Sequence, residues 1–353
     1  MTTYFSPALL LAYNSLTDSN RTTNETLNAH IGLEKWVTKH GGRLDDTVQF
    51  AHDAQRGVHL QVKPATTNTT TTGTAGTATT ATKGTCVMKI PIELTMSYFN
   101  AINYQPTSQK EGQEGAKSFS SHGVHLPRKL IEAIGPEETT AFFLMGQYLL
   151  KEDGFWFPYI KSLPRPEELT TPLFFREEEE GGDLEWLAMT SLAVERERRL
   201  RIWRGNYERA FGMLKELGVE GLEGYTWLVY MFMSLLQTAL ANVSDRELYL
   251  WASTIISSRA FTAKVLASVI PTLQQAAEAD RVSVLLPLID ATNHKPLAKV
   301  EWRAGTDSIG LVIMSDVGAG EEVGNNYGPR NNEQRRSPQI YRSVFFFFLT
   351  WRG

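Results

Sequence analysis

Three short segments of this 353-residue chain set chemically capable side chains directly against apolar runs, where a folded core ordinarily excludes them. Asp290-Ala291-Thr292-Asn293-His294 follows the apolar run Val284 to Ile289. Ser257-Ser258-Arg259-Ala260-Phe261 closes a stretch of helical character, and Gly320-Glu321-Glu322-Val323-Gly324-Asn325-Asn326-Tyr327-Gly328 follows an alternating, hairpin-like pattern. Together they supply a carboxylate, a carboxamide, an imidazole, a guanidinium and a phenol, all able to hold a polar ligand by hydrogen bonds. Each segment alone also has an ordinary reading. Asn293-His294 suits a turn, Arg259 at a helix end interacts favourably with the helix dipole, and Tyr327 beside glycine suits a strand-end aromatic. Only their combination and order carry information.

Other chemistries are not supported. The single cysteine, Cys86, can form no internal disulfide and has no identifiable partner base. In the apolar run Cys86-Val87-Met88 it reads as buried core. The seven histidines and one cysteine show no zinc spacing, so no metal is expected. A net charge of −4 and a pI near 6.0 give no general affinity for nucleic acid. The opening MTTYFSPALLLAY has no basic start and no small-residue cleavage site, so a secretory signal is not expected. Tyr225 to Leu240 falls short of the roughly 20 residues a membrane span requires and reads as a core helix. A monomer in the cytoplasm, the nucleus or both is expected, with no membrane or direct nucleic-acid partner.

The elements that must position the three segments follow from periodicity and punctuation. A helix is expected over Leu33 to His40, stopped by Gly41-Gly42, then strands over Val48 to Ala51 and Val58 to Val62. The tract Thr66 to Thr82 is almost entirely Thr, Ala and Gly and reads as a disordered insertion. Removing it joins Val58–Val62 to Gly84–Pro91 as an antiparallel pair, since closure entropy grows slowly with loop length. From Pro127 to Asp280 the pattern is mostly helical. It includes Ala141 to Leu150, the apolar series from Trp186 to Leu214, and a helix over Asp245 to Ser257 capped at Ser244 or Asp245. Glu177 to Glu180 reads as a solvated loop rather than an acidic docking face. After Val282 strands return, with Lys299–Arg303 and Ile309–Met314 forming a hairpin. The order of strands, helices and strands gives an α+β chain whose small sheets are split by a mostly helical insertion.

Those residues in that order resemble the SET-domain protein methyltransferases, in the branch of the Rubisco large-subunit lysine methyltransferase and its fungal and animal relatives. The resemblance runs from about Leu33 to Glu333. It rests on Trp156-Phe157-Pro158-Tyr159-Ile160-Lys161-Ser162-Leu163-Pro164, Pro172-Leu173-Phe174-Phe175, Trp251-Ala252 with Ser257–Phe261, Leu285–Asp290 with Asn293-His294, and Gly320–Val323 with Asn326-Tyr327-Gly328 and Asn332-Glu333. It implies a SET fold, divided as 27–100, a helical insertion over 101–280, and a C-terminal core over 281–333. The tail 334–353 departs from the pattern with Phe345 to Phe348 and reads as a truncated or misread end, without the relatives' C-terminal helical substrate-binding domain.

The resemblance also implies S-adenosylmethionine (AdoMet) as cofactor and a protein lysine as acceptor. Arg259 would grip the AdoMet carboxylate through its planar fork, with Ser258 beside it. Asp290, Asn293 and His294 would hold the same cofactor, as would backbone groups of Arg56-Gly57. Tyr327 matches the catalytic tyrosine, and Phe261 would line the channel that admits the target side chain. Substrates of the kind implied are ribosomal proteins, translation factors or histones. Two alternatives stay open: histidine as the acceptor, or an inactive SET-fold module that binds proteins, since the family's closing aromatic segment is missing.

Overall fold

The computed structural model describes residues 23–64, 80–105, 119–169, 187–218, 245–274 and 282–326, together with positions 173 and 279. The expected helix cap at Ser244, the Glu177–Glu180 run, Tyr225–Leu240, Trp186, Tyr327 and the tail 334–353 all lie outside these residues.

Helix α1 (Thr23–Lys39) buries Ala29, Leu33 and Val37, a one-face stripe at four-residue spacing, and stops at the Gly41–Gly42 pair. Strands β1 (Arg43–Leu44), β2 (Val48–Asp53), β3 (Gly57–Val62), β4 (Cys86–Pro91) and β5 (Met96–Ser97) follow. The short α2 (Tyr98–Ala101) then leads to α3 (Arg128–Leu149), which kinks at Gly135–Pro136. All residues from Thr139 to Gln147 are buried, as expected of a helix apolar on most faces. Next come α4 (Phe157–Ser162), α5 (Ser191–Leu217) and α6 (Asp245–Arg259), then β6 (Phe261–Thr262), β7 (Ser283–Leu285), β8 (Val300–Ala304) and β9 (Ser308–Ile313).

The strands form three small antiparallel sheets, ordered β1-β4-β9-β8, β2-β3 and β5-β7-β6. Two buried indoles pin the helical part. Trp156 donates from Nε1 to the Leu94 carbonyl at 2.9 Å, and Trp251 donates to the Pro164 carbonyl at 2.8 Å. Their rings are fully buried, so the polar edge of each needs such an acceptor.

Three expectations need correction. β3 pairs with β2, not with β4, which lies between β1 and β9. The reason is a tight turn in which the Asp53 carboxylate accepts from the backbone N–H groups of Gln55 and Arg56, at 3.0 and 2.7 Å, and Gly57 takes φ +65°. Local closure thus outcompetes pairing across the long insertion. Nor does the expected disorder hold over all of Thr66 to Thr82, of which 66–79 lie outside the described residues. Ala81 is fully buried and exchanges two backbone hydrogen bonds with Val317. Finally, Cys86 is half-buried rather than core, its thiol donating to the Met88 carbonyl at 3.2 Å beside the irregularity where β4 meets β9.

The extended stretch from Gly320 to Asn325 crosses between halves of the chain. Gly320 N–H donates to Val62, Val62 N–H to Glu321 and Val323 N–H to Leu60; Asn325 N–H then donates to Asn293, and Lys295 N–H to Asn325. Gly324 makes this close approach possible, because a Cβ there would sit 2.4 Å from the Lys295 Cβ. Gly324→Ala should therefore cost about 1–3 kcal/mol, read as a lowered denaturation midpoint, and an unchanged midpoint would show that the crossing tolerates separation.

Candidate functional site

β7 ends in a sharp redirection. Leu288 adopts φ 79° and ψ −49°, a conformation that a non-glycine residue holds only when its surroundings enforce it, and its side chain is fully buried. The strain is of order 1–3 kcal/mol. It turns the chain into the 3₁₀ turn Ile289–Ala291 and so places Asp290, Asn293 and His294 beside three other elements.

Asp290 is 3% exposed, and a carboxylate buried so deeply requires partners. The Tyr159 hydroxyl, on α4, donates to Asp290 Oδ2 at 2.5 Å. Arg259, the last residue of α6, donates from its guanidinium to the Asp290 backbone carbonyl at 3.1 Å. Burial pushes the Tyr159 phenol well above its ordinary range, and the neighbouring Asp290 carboxylate adds to this; the Arg259 charge opposes it. Tyr159 is therefore the proton donor in the pair.

Asn293 reaches in the opposite direction. Its carboxamide nitrogen donates to the Arg56 carbonyl at 3.3 Å and to Glu322 Oε1 at 2.9 Å. The Arg56 guanidinium lies 3.8 Å from Glu322 and 2.5 Å from Asp53. Hydrogen bonds from Arg56 hold the exposed Asp53 carboxylate down at about 2. His294 forms a parallel bridge with Asn325, which is fully buried. Beside this network the Gly57 turn is open: a Cβ there would meet nothing within 4 Å.

No family model matches the chain. It is 28% identical over 206 residues to the ribosomal lysine N-methyltransferase set10 of Schizosaccharomyces pombe, covering 58% of this chain and 31% of that protein. It is 25% identical over 236 residues to the actin-histidine N-methyltransferase of Gallus gallus, covering 66% and 33%. Among solved structures it matches the SET domain of LSMT bound to lysine and AdoHcy, with a TM-score of 0.55 at 15% identity over 86% of this chain and 54% of that one. Rubisco LSMT bound to sinefungin and monomethyllysine matches with a TM-score of 0.55 at 14% identity, over 88% and 55%. The chain has the SET fold. It spans about a third of the curated relatives' length and just over half of the solved chains.

Within this SET fold, Arg56, Gly57, Arg259, Asp290, Asn293 and His294 come together in one linked neighbourhood. Two residues stand apart from the network. The Ser258 hydroxyl bonds back to the Ile255 carbonyl at 3.2 Å, within its own helix. Phe261 lies in β6 and packs on Trp302, with ring centroids 4.5 Å apart. Tyr327 follows the last described residue of its segment. Sequence reasoning missed Tyr159, Glu322 and Asn325, although all three stand inside segments that were legible as motifs. Their roles depend on cross-chain partners that spacing does not reveal. Among the described residues there is no cluster of His, Cys, Asp or Glu able to hold a metal, and no helix long and apolar enough to cross a membrane.

Removing the Tyr159 hydroxyl tests the Asp290 arrangement. Tyr159→Phe should lose about 1–3 kcal/mol of stability at pH 7, because a buried acceptor is left short of its donor. The folded-state phenol titrates above its unfolded value near 10, so this contribution is fully present below pH 10 and fades as pH rises past it. Urea unfolding at pH 7 and pH 11 should show the gap between the two proteins narrowing; a constant gap would refute the coupling.

Proposed function

We propose that this SET-fold chain is an AdoMet-dependent protein methyltransferase that modifies lysine. The observation that carries this reading is the similarity to a ribosomal lysine N-methyltransferase, together with the convergence of Arg259, Asp290, Asn293 and Arg56. The residues present suit the cofactor. Arg259 is a half-buried guanidinium at the edge of the network, able to take a carboxylate by charge-assisted hydrogen bonds. Asn293 and the backbone around His294 suit polar groups, and the open Gly57 turn admits a ligand close to the main chain. When bound, AdoMet supplies a methyl group activated by a sulfonium.

On this reading Tyr327 orients the incoming amine, and Phe261 with its neighbour Trp302 forms part of the apolar wall of the acceptor channel. Proximity and alignment supply much of the acceleration. A lysine with its usual pKa near 10.4 must lose its proton first, a cost of roughly 4–5 kcal/mol at pH 7. An apolar channel lowers that cost by disfavouring the ammonium, so no dedicated base is assigned. The substrate is a protein, of which a ribosomal protein is the kind that set10 supports. Histidine as acceptor is the second reading, favoured by the similarity to the actin-histidine enzyme.

Arg259→Ala should weaken AdoMet binding at least tenfold by calorimetry, a loss of about 1.4 kcal/mol or more. Tyr327→Phe should leave that affinity nearly intact while lowering methyl transfer by about 10²–10³-fold. Incubation of a ribosomal fraction with labelled AdoMet, followed by acid hydrolysis, should return methyl-lysine. Recovery of methylhistidine alone would favour the second reading, and no incorporation despite tight AdoMet binding would remove the activity.

A further inference from the structure

Asn325 is fully buried, yet neither the oxygen nor the nitrogen of its carboxamide has a hydrogen-bond partner among the described residues. A carboxamide carries two donors and two acceptor lone pairs, and each group left unmet away from water lowers stability. The main chain gives no reason for the residue, since Asn325 is absent from the positive-φ positions that favour asparagine. Its backbone is well satisfied: the N–H donates to the Asn293 carbonyl and the carbonyl accepts from the Lys295 N–H, both at 2.8 Å. The main chain thus holds in place a side chain that opposes the position.

The crossing that ends here has two unlike halves. From Gly320 to Val323 it is fixed on β3, through Gly320 N–H to Val62, Val62 N–H to Glu321 and Val323 N–H to Leu60, with Glu322 also bonded to the Asn293 carboxamide. Val323 is buried and apolar, so its side chain adds to the hold. Past Gly324 the hold weakens. Asn325 has its two backbone bonds and an unmet side chain, and the exposed Asn326 donates to the Ala298 carbonyl at a long 3.4 Å. Between the halves stands Gly324, the residue type with the widest backbone freedom, where no Cβ fits against Lys295.

We propose that the chain from Asn325 onward is a strap hinged at Gly324, and that the unmet Asn325 carboxamide keeps it easy to release. Closed, the strap forfeits the hydrogen bonds of that carboxamide. Released, the carboxamide bonds to water, which offsets the two backbone bonds given up and themselves exchanged for water. Release frees the Asn293 carbonyl, the Lys295 N–H and the chain that leads two residues on to Tyr327. Segments that must open for ligands are drawn from the least stable parts of a fold. The strap follows from the fold alone; its use as a gate for the cofactor rests on the AdoMet reading above.

Asn325→Leu tests the strap, since Leu copies the branched shape of the carboxamide and removes its polar atoms. Hydrogen exchange resolved to single amides should slow about tenfold or more at Asn325 and Lys295, the weight of one unmet buried group in an equilibrium constant. The Gly320 and Val323 amides, on the fixed half, should change by less than about twofold. Faster exchange at Asn325 and Lys295 would overturn the strap, because it would show the carboxamide bonded, for example to an internal water. Equal slowing on both halves, or no slowing at all, would overturn it too. Should Asn325→Leu not fold, Asn325→Ala decides the matter: exchange at the two amides that is no faster supports the strap, and faster exchange overturns it. For the gate, AdoHcy should leave Asn325→Leu about tenfold more slowly than the unmodified chain in stopped flow, and an unchanged rate would overturn that role. Failure of the unmodified chain to bind AdoHcy would remove the AdoMet reading and leave exchange to judge the strap.

Discussion

One extended strand-like stretch, Gly320 to Asn325, holds the candidate site together. It hydrogen-bonds first to β3, near the start of the chain, and then to residues 293–295. That crossing adds a backbone tie between the Arg56–Gly57 turn and the Asn293–His294 pair, beside the Asn293 side-chain bond to the Arg56 carbonyl. The backbone bonds are ordinary ones, each contributing about 0.5–1.5 kcal/mol net. Their importance is positional. They set the register that brings Glu322 opposite Asn293, and Gly324 is small because two main chains must pass there.

The second constraint is electrostatic. A carboxylate at Asp290, 3% exposed, is costly unless its partners are in place. Tyr159 supplies the hydrogen bond and the nearby Arg259 supplies opposite charge. These three residues come from α4, α6 and the turn after β7, so meeting Asp290's requirement docks the helical part against the small sheets. The same contacts leave Arg259 at the rim, bonded to a backbone carbonyl. Stability and the ligand recognition we propose thus draw on one cluster. Leu288, strained and fully buried, shows the cost of bending the chain sharply enough to reach it.

Much of this was legible in the sequence for identifiable reasons. The α1 stripe, the buried middle of α3 and the β8–β9 hairpin obey simple periodicities, and periodicity survives folding because it sets which face is buried. Motif order singled out Arg259, Asp290, Asn293 and His294, which the fold brings into one neighbourhood. What escaped was partner choice. Nothing in Val58–Val62 says whether it pairs backward with β2 or forward with β4; a turn built on Asp53 and Gly57 decides it. Likewise Glu322 reads as one acid of a Gly-Glu-Glu turn until the fold lays it against Asn293. Long-range hydrogen bonds of this kind leave no local trace in a single sequence.

The central claim is that four stretches distant in sequence together form one ligand site. Hydrogen–deuterium exchange with and without AdoHcy addresses it directly. Residues 55–57, 257–262, 290–295 and 320–326 should all gain protection together, at a common ligand concentration. Protection confined to one of them, or spread over the helical part with 290–295 unchanged, would contradict the account.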